Sequence, residues 1–225
     1  MFQRSHPRAR GHTVVIEHLE GRRLLSTATS LGATVTIDGS RHNDQIIISR
    51  TTDGHYEVVD NSKHLTYRAS RVKRFVINCR GGDDILSVDN SNGGVAASRE
   101  VHGGDGSDTL SGGKGADDLF GDAGDDHLDG RQGDDDLHGG DDNDSLEGDT
   151  GDDSLDGGNG EDNVDGGDGT DHVDGGAGQD TFHGGHDSSR ERKDDNSGED
   201  QTDDDQGGVL DDDTSQNTGD DQSSM

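Results

Sequence analysis

A chain of 225 residues with only 23% apolar side chains, no tryptophan and a formal charge of −32 cannot build a conventional globular core. Acidity on this scale excludes nucleic acid and anionic membrane surfaces as natural partners and leaves cations as the natural ligands. One cysteine, Cys79, excludes an intrachain disulfide, and no apolar run reaches the ~20 residues of a transmembrane segment.

In chain order, residues 1–28 are basic but lack an uninterrupted apolar stretch, which sets them apart from an ordinary secretory signal. They read as a short amphipathic or flexible leader. Residues 29–102 hold nearly all of the β-branched and aromatic content. Runs such as ATVTI, QIIIS, YEVV and RFVIN are separated by the turn clusters DGS, TTDGH and DNSK, the pattern of short strands. Cys79, ending VINC, reads as a buried thiol on one of them. Charge then changes abruptly: residues 1–102 carry a net +3, residues 103–183 a net −24 and residues 184–225 a net −11. Residues 188–225 have almost no apolar side chains beyond Val209 and Leu210, the composition of a disordered acidic tail.

The middle segment is periodic. From Gly103 to His183 the sequence divides into nine nonapeptides without an insertion, and Gly184 opens an incomplete tenth. The first position is always glycine, and the fourth is glycine except at Asp142. The sixth is aspartate throughout: Asp108, Asp117, Asp126, Asp135, Asp144, Asp153, Asp162, Asp171 and Asp180. The eighth is Leu110, Leu119, Leu128, Leu137, Leu146, Leu155, Val164, Val173 and Phe182. One apolar residue in nine makes neither an amphipathic helix nor a two-faced strand. It does make a solenoid, in which each coil places that side chain inside and neighbouring coils stack. The tripeptide around the eighth position is a minimal strand, and the six residues before it form a glycine turn ending in a carboxylate.

Stacking such turns brings rows of aspartates together, so the fold needs a counter-ion. Calcium fits, because it takes six to eight oxygens at ~2.3–2.6 Å from carboxylates and backbone carbonyls. Magnesium demands tighter octahedral geometry and keeps its waters. Zinc asks for His or Cys, whereas His127, His138, His172 and His183 fall at varying repeat positions and read as surface residues.

The intact units GGDGSDTLS, GGKGADDLF, GGNGEDNVD, GGDGTDHVD and GGAGQDTFH follow GGxGxDxUx, which resembles the RTX, or haemolysin-type, calcium-binding repeat. The resemblance implies an all-β fold, a right-handed parallel β-roll in which two nonapeptides make one coil and residues 103–187 form the roll. It implies calcium between turns two repeats apart. The lower turn would give the carbonyls of its second and fourth positions with its aspartate. The upper turn would give the carbonyls of its first and third positions with its own. For the first site these are Gly104, Gly106 and Asp108 with Gly121, Ala123 and Asp126. The same rule names Gly113 and Gly115 in a lower turn. In upper turns it names Gly157 with Asn159, Gly166 with Asp168, and Gly175 with Ala177. Nine repeats paired in this way give about seven ions. Asp122, Arg131 and Asp149 at the second position and Asp142 at the fourth reduce the freedom to adopt φ > 0, which places the turns starting at 121, 130, 139 and 148 in question.

GSRHNDQII (Gly39–Ile47) and CRGGDDILS (Cys79–Ser87) keep the aspartate, as Asp44 and Asp84, and an apolar eighth residue. Residues 29–102 therefore read as a strand-rich, solenoid-like cap with degenerate repeats. LEGRRLLS (Leu19–Ser26) resembles the LEPR-xLL segment near the N-terminus of many large bacterial surface or exported proteins, with Gly21 at the proline position; it implies that residues 1–28 act in export or sorting. HExxH, GxSxG and any long apolar helix are missing, which argues against an enzyme. The RTX resemblance instead implies a secreted or cell-surface, calcium-dependent structural or adhesive module, with cell-envelope or matrix components as its partner class. The alternative is an acidic calcium-buffering or mineral-binding extracellular protein without a specific partner.

Overall fold

A computed structural model describes residues 27–31 and 33–183. The leader-like segment with LEGRRLLS, the opening of the tenth nonapeptide at Gly184 and the acidic tail lie outside the described residues. The first strand, β1 (Thr27–Leu31), begins two residues inside the stretch read as leader and pairs antiparallel with β2 (Thr34–Asp38).

Beyond that hairpin, two sheets face each other along the chain. One continues from β2 through β6 (Arg74–Gly81), β8 (Ser98–Asp105), β10 (Asp118–Ala123), β12 (Asp136–Asp141), β14 (Ser154–Asn159) and β16 (His172–Asp174), every pair parallel. The other runs from β3 (Gln45–Arg50) through β7 (Ile85–Asp89), β9 (Thr109–Gly113), β11 (His127–Arg131), β13 (Ser145–Glu147), β15 (Asn163–Asp165) and β17 (Thr181–His183). Successive strands alternate between the sheets, so each coil contributes one strand to each: a parallel β-roll. No helix among the described residues is long and apolar enough to cross a membrane.

Register follows from the apolar column. In the first sheet Ile37, Ile77, Val101, Leu119, Leu137, Leu155 and Val173 stack; in the second, Ile46, Leu86, Leu110, Leu128, Leu146, Val164 and Phe182. All are buried. A slip of one residue would turn the column outward and expose it, which pins the register. Over the nonapeptides equivalent residues are 18 apart, but upstream the coils lengthen to 24 and 40 residues. The longest coil holds β4 (His55–Asp60) and β5 (Lys63–Arg68), which pair antiparallel beside β3 and finish the second sheet. Here β2, β3, β4, β6 and β7 each bury two or three apolar residues rather than one. Val35, Ile48, Val58, Phe75 and Val88 join the core, and the Tyr56 ring meets Phe75 edge to face at 5.7 Å. Both sheets pass without a break from this thicker part into the nonapeptides. Cys79 sits inside it, fully buried, and burial pushes its thiol well above the usual range.

Candidate metal centres

Except in the turn starting at Gly112, where Gly113 and Gly115 lack positive φ, each nonapeptide turn is shaped by its second and fourth residues. Gly104 and Gly106 take φ of 112° and 133°, a region in which an L side chain is strained. The four substituted positions keep the same turn: Asp122, Arg131, Asp142 and Asp149 take φ of 76°, 75°, 77° and 67°. The turns that composition placed in question therefore have the geometry of the others, with local strain. Glycine there would relieve it, so Asp149→Gly is expected to stabilise the calcium-loaded protein by about 0.5–1 kcal/mol, as a rise in its thermal midpoint.

The sixth-position aspartates form two ladders along the flanks of the roll. On one, the backbone N–H of Asp44 donates to Asp84 Oδ1 at 2.5 Å, Asp84 to Asp108 at 2.7 Å, Asp108 to Asp126 at 2.7 Å, Asp126 to Asp144 at 2.8 Å, Asp144 to Asp162 at 2.8 Å and Asp162 to Asp180 at 3.0 Å. On the other, Asp117 donates to Asp135 and Asp135 to Asp153, each at 2.7 Å, and Asp153 to Asp171 at 2.9 Å. Each rung satisfies one carboxylate oxygen. The second oxygen, Oδ2, is buried without a hydrogen-bond partner in Asp84, Asp108, Asp126, Asp135, Asp144, Asp153 and Asp162. Seven orphaned carboxylate oxygens in one small fold are too many to be incidental, because each costs desolvation free energy that only a cation or a proton can return.

The backbone oxygens converge on the same gaps. In the first turn pair, Gly106 N–H donates to the Ala123 carbonyl at 2.8 Å, so that carbonyl points down from the upper turn. A Cβ built on Gly103 would lie 2.7 Å from the Gly121 carbonyl and against Asp108 Oδ2, and one built on Gly124 would press on the Gly106 carbonyl. Gly104 lies opposite Asp122 in the strand register. Much of the same pattern recurs along the array. Ala177 N–H donates to the Gly158 carbonyl at 2.6 Å and Gly160 N–H to the Ala177 carbonyl at 2.9 Å. The Gly113 carbonyl accepts from Gln132 and the Asp168 carbonyl from Gly151. The Gly115 carbonyl faces Gly133, that of Gly157 faces Gly139, that of Gly166 faces Gly148 and that of Gly175 faces Gly157. Asn159 lies opposite Asp141. Among the described residues no three His, Cys, Asp or Glu side chains gather at one point; each gap combines two aspartates with carbonyl oxygens. That donor set suits a hard cation of large coordination number. The histidines stay on the outer faces, where Phe120 stacks between His102 and His138 with centroids 4.6 and 4.9 Å away.

Burial pushes the carboxyls of Asp108, Asp153 and Asp162 up to about 6, those of Asp84, Asp126 and Asp144 to about 7 and that of Asp135 to about 8. Neighbouring carboxylates add to these shifts. An unfolded aspartate titrates near 3.9, so the metal-free roll binds more protons than the unfolded chain across this interval. Its stability is present below about pH 4 and is lost as pH rises through 6–8. In EGTA the strand signal is therefore expected to grow as pH falls from 8 to 5. Calcium affinity is expected to weaken over the same interval, because protons compete for the same oxygens. Circular dichroism and calorimetric titration at pH 8, 7 and 6 check both signs.

Roll, stacked carboxylates and inward carbonyls together define the class, a parallel β-roll whose turns are built around cations. Residues 102–137, 138–173 and 156–188 match the family model of the RTX calcium-binding nonapeptide repeat (four copies). This part of the chain is an array of RTX calcium-binding repeats, and calcium is its ligand. Searches of curated proteins and of solved structures find no match. Asp84, singled out in the degenerate repeat CRGGDDILS, stands as a full ladder member outside the matched stretch. One feature escaped the sequence reading. Arg99 is buried at the head of the second ladder; its one signal is that it lies 18 residues before Asp117, at the sixth position counted from Gly94.

Proposed function

We propose that the array holds about seven calcium ions, one in each gap between turns two repeats apart, and folds on binding them. The observation that carries this is the row of buried, unpartnered Oδ2 atoms at Asp108, Asp126, Asp135, Asp144, Asp153 and Asp162, facing carbonyls of the next turn; in the remaining gap, Asp117 Oδ2 also has Arg99 and the Gly113 N–H as partners. In the first gap the ligands are the carbonyls of Gly104, Gly106, Gly121 and Ala123 with the carboxylates of Asp108 and Asp126. These are six oxygens, as calcium requires. Folding then follows calcium: a chain that carries −24 over 81 residues stays open where the ion is scarce and closes where it is near millimolar. That range suits a secreted or cell-surface protein, and a rigid, calcium-locked rod suits a structural or adhesive module rather than an enzyme. The His102–Phe120–His138 stack favours contact with an envelope or matrix component over simple buffering. It puts a ring flanked by two imidazoles on an outer face, where stacking can engage a partner. Calorimetric calcium titration tests the stoichiometry. Binding to cell-envelope fractions with and without EGTA tests adhesion, and a full calcium complement with no retained fraction would leave only buffering.

A further inference from the structure

The second ladder continues a column that begins in the apolar core. Along the first sheet the inward residues are Val35, Phe75 and Arg99, followed by Asp117, Asp135, Asp153 and Asp171. Arg99 is the junction between hydrocarbon and carboxylate, and both it and Asp117 have no exposed side-chain surface. Its Nη1 donates to Asp117 Oδ1 at 2.7 Å and Oδ2 at 2.6 Å, and its Nη2 to the Val95 carbonyl at 2.8 Å. Counted from Gly94, Val95 is the second residue of a turn that ends in Arg99.

The rung and the second-position carbonyl are those of the other gaps, although Gly113 and Gly115 in the upper turn lack the positive φ found at these positions elsewhere in the array. Arg99 N–H donates to Asp117 Oδ1 at 2.8 Å, the rung seen between Asp117 and Asp135. Lys114 N–H approaches the Val95 carbonyl at 3.4 Å, as Gln132 N–H approaches that of Gly113 one coil later. What differs is the lower sixth residue, a cation in place of an aspartate. Its guanidinium is bonded to a second-position carbonyl of the lower turn and to the carboxylate of the upper turn, two of the oxygen types that face the gap elsewhere. Asp117 Oδ2, orphaned in its neighbours Asp135 and Asp153, here has Arg99 and the Gly113 N–H as partners.

We propose that the Arg99 guanidinium is a tethered cation that takes the place of a calcium ion between the turns 94–99 and 112–117. This gap then closes without metal and starts the array. The proposal rests on the calcium reading of the other gaps. A guanidinium keeps its charge at any accessible pH and forks onto a carboxylate. Being covalently attached, it needs no free ion and forms together with the apolar core beneath it. The first ladder also begins on protein groups. The Asp44 carboxylate is held by Ser40 N–H at 2.6 Å and by Asn61 Nδ2. In the following gap Cys79 occupies the position where the nonapeptides keep glycine. The second ladder thus has a metal-free end at its N-terminal side and a calcium-dependent body, whereas in the first ladder Asp84 Oδ2 is unpartnered.

Hydrogen exchange on the full chain, in EGTA and in ~1 mM calcium, tests this. In EGTA the amides of Arg99 and Gly113 are expected to exchange at least about tenfold more slowly than those of Asp135 and Asp144. Calcium should slow the latter pair. Arg99→Gln should remove the protection of residue 99 and Gly113 in EGTA. Arg99→Asp, which restores the ladder carboxylate, should bind one calcium more than the wild type and protect this gap only when calcium is present. Equal exchange at Arg99 and Asp135 in EGTA would overturn the proposal, and so would an unchanged ion count in Arg99→Asp. Asp135 and Asp144 amides that stay unprotected in calcium would overturn the underlying calcium reading instead.

Discussion

In excess EGTA at pH 8 residues 103–183 are expected to lose their strand signal, and about 1 mM calcium should restore it. With an extracellular-type Kd of ~10⁻⁴ M, each site contributes about 1.4 kcal/mol at that concentration, and seven contribute about 10 kcal/mol. This equals the whole stability of an ordinary domain. The nonapeptides have little else to set against the entropy of ordering, because each buries a single apolar side chain while placing a carboxylate inside. Residues 33–102 differ. Their strands bury Val35, Ile37, Ile46, Ile48, Val58, Phe75 and Ile77 around Tyr56, and are expected to keep strand signal in EGTA. Far-UV circular dichroism should thus show a partial loss, reversed by calcium and not by magnesium. A spectrum indifferent to both EGTA and calcium would refute the coupling of folding to the ion.

The repeat made the roll legible because its period is a direct image of the coil. Glycine at the first position and an apolar eighth residue recur every nine residues, and the two sheets alternate at that spacing. The stacked aspartates were legible for the same reason. Upstream the image blurs. Coils of 24 and 40 residues have no common period, and the hairpin extension of β4 and β5 fills the longest of them. GSRHNDQII and CRGGDDILS still revealed Asp44 and Asp84, since a turn ending in a carboxylate before an apolar residue survives a change in coil length. Arg99 was hidden because it breaks the very rule that identifies the ladder. An arginine at the sixth position looks like an absent repeat until the register places its guanidinium against Asp117.

The glycines separate into two kinds that sequence alone does not distinguish. Those at the second and fourth positions, Gly113 and Gly115 excepted, serve backbone conformation, as the positive φ of Gly158 and Gly160 shows. At the second position an aspartate or arginine can take over that φ at some cost in strain, as Asp122, Arg131 and Asp149 do. The first-position glycines have no such conformation: Gly157 is not among the residues of positive φ. What it supplies is space. A Cβ built there would lie 2.5 Å from Asp162 Oδ2 and 2.7 Å from the Gly175 carbonyl, within the distances at which those oxygens would hold calcium. This explains why the first position tolerates no substitution among the nine nonapeptides, whereas the second tolerates three.

Gly157→Ala is accordingly expected to remove one calcium ion from the titration, although alanine fits the backbone there without strain. The loss should extend beyond one gap. Asp162 belongs to the gaps on both sides of its turn, through its rungs with Asp144 and Asp180, so the next ion toward the N-terminus should bind more weakly as well. The neighbouring change Gly158→Ala provides the contrast. At φ of 104° it strains the turn and presses on the Gly140 carbonyl, a ligand of the gap toward the N-terminus, and should lower the thermal midpoint and weaken that ion while leaving the one between Asp162 and the Gly175 carbonyl in place. A cost of about 2 kcal/mol or more for Gly157→Ala follows from the lost ion together with the overpacked turn. It should be visible only in calcium, because in EGTA this part of the roll has no folded state to destabilise. If Gly157→Ala binds the full complement of ions, the first-position glycine is a matter of chain geometry, and the space between Asp162 and Gly175 is not where calcium sits.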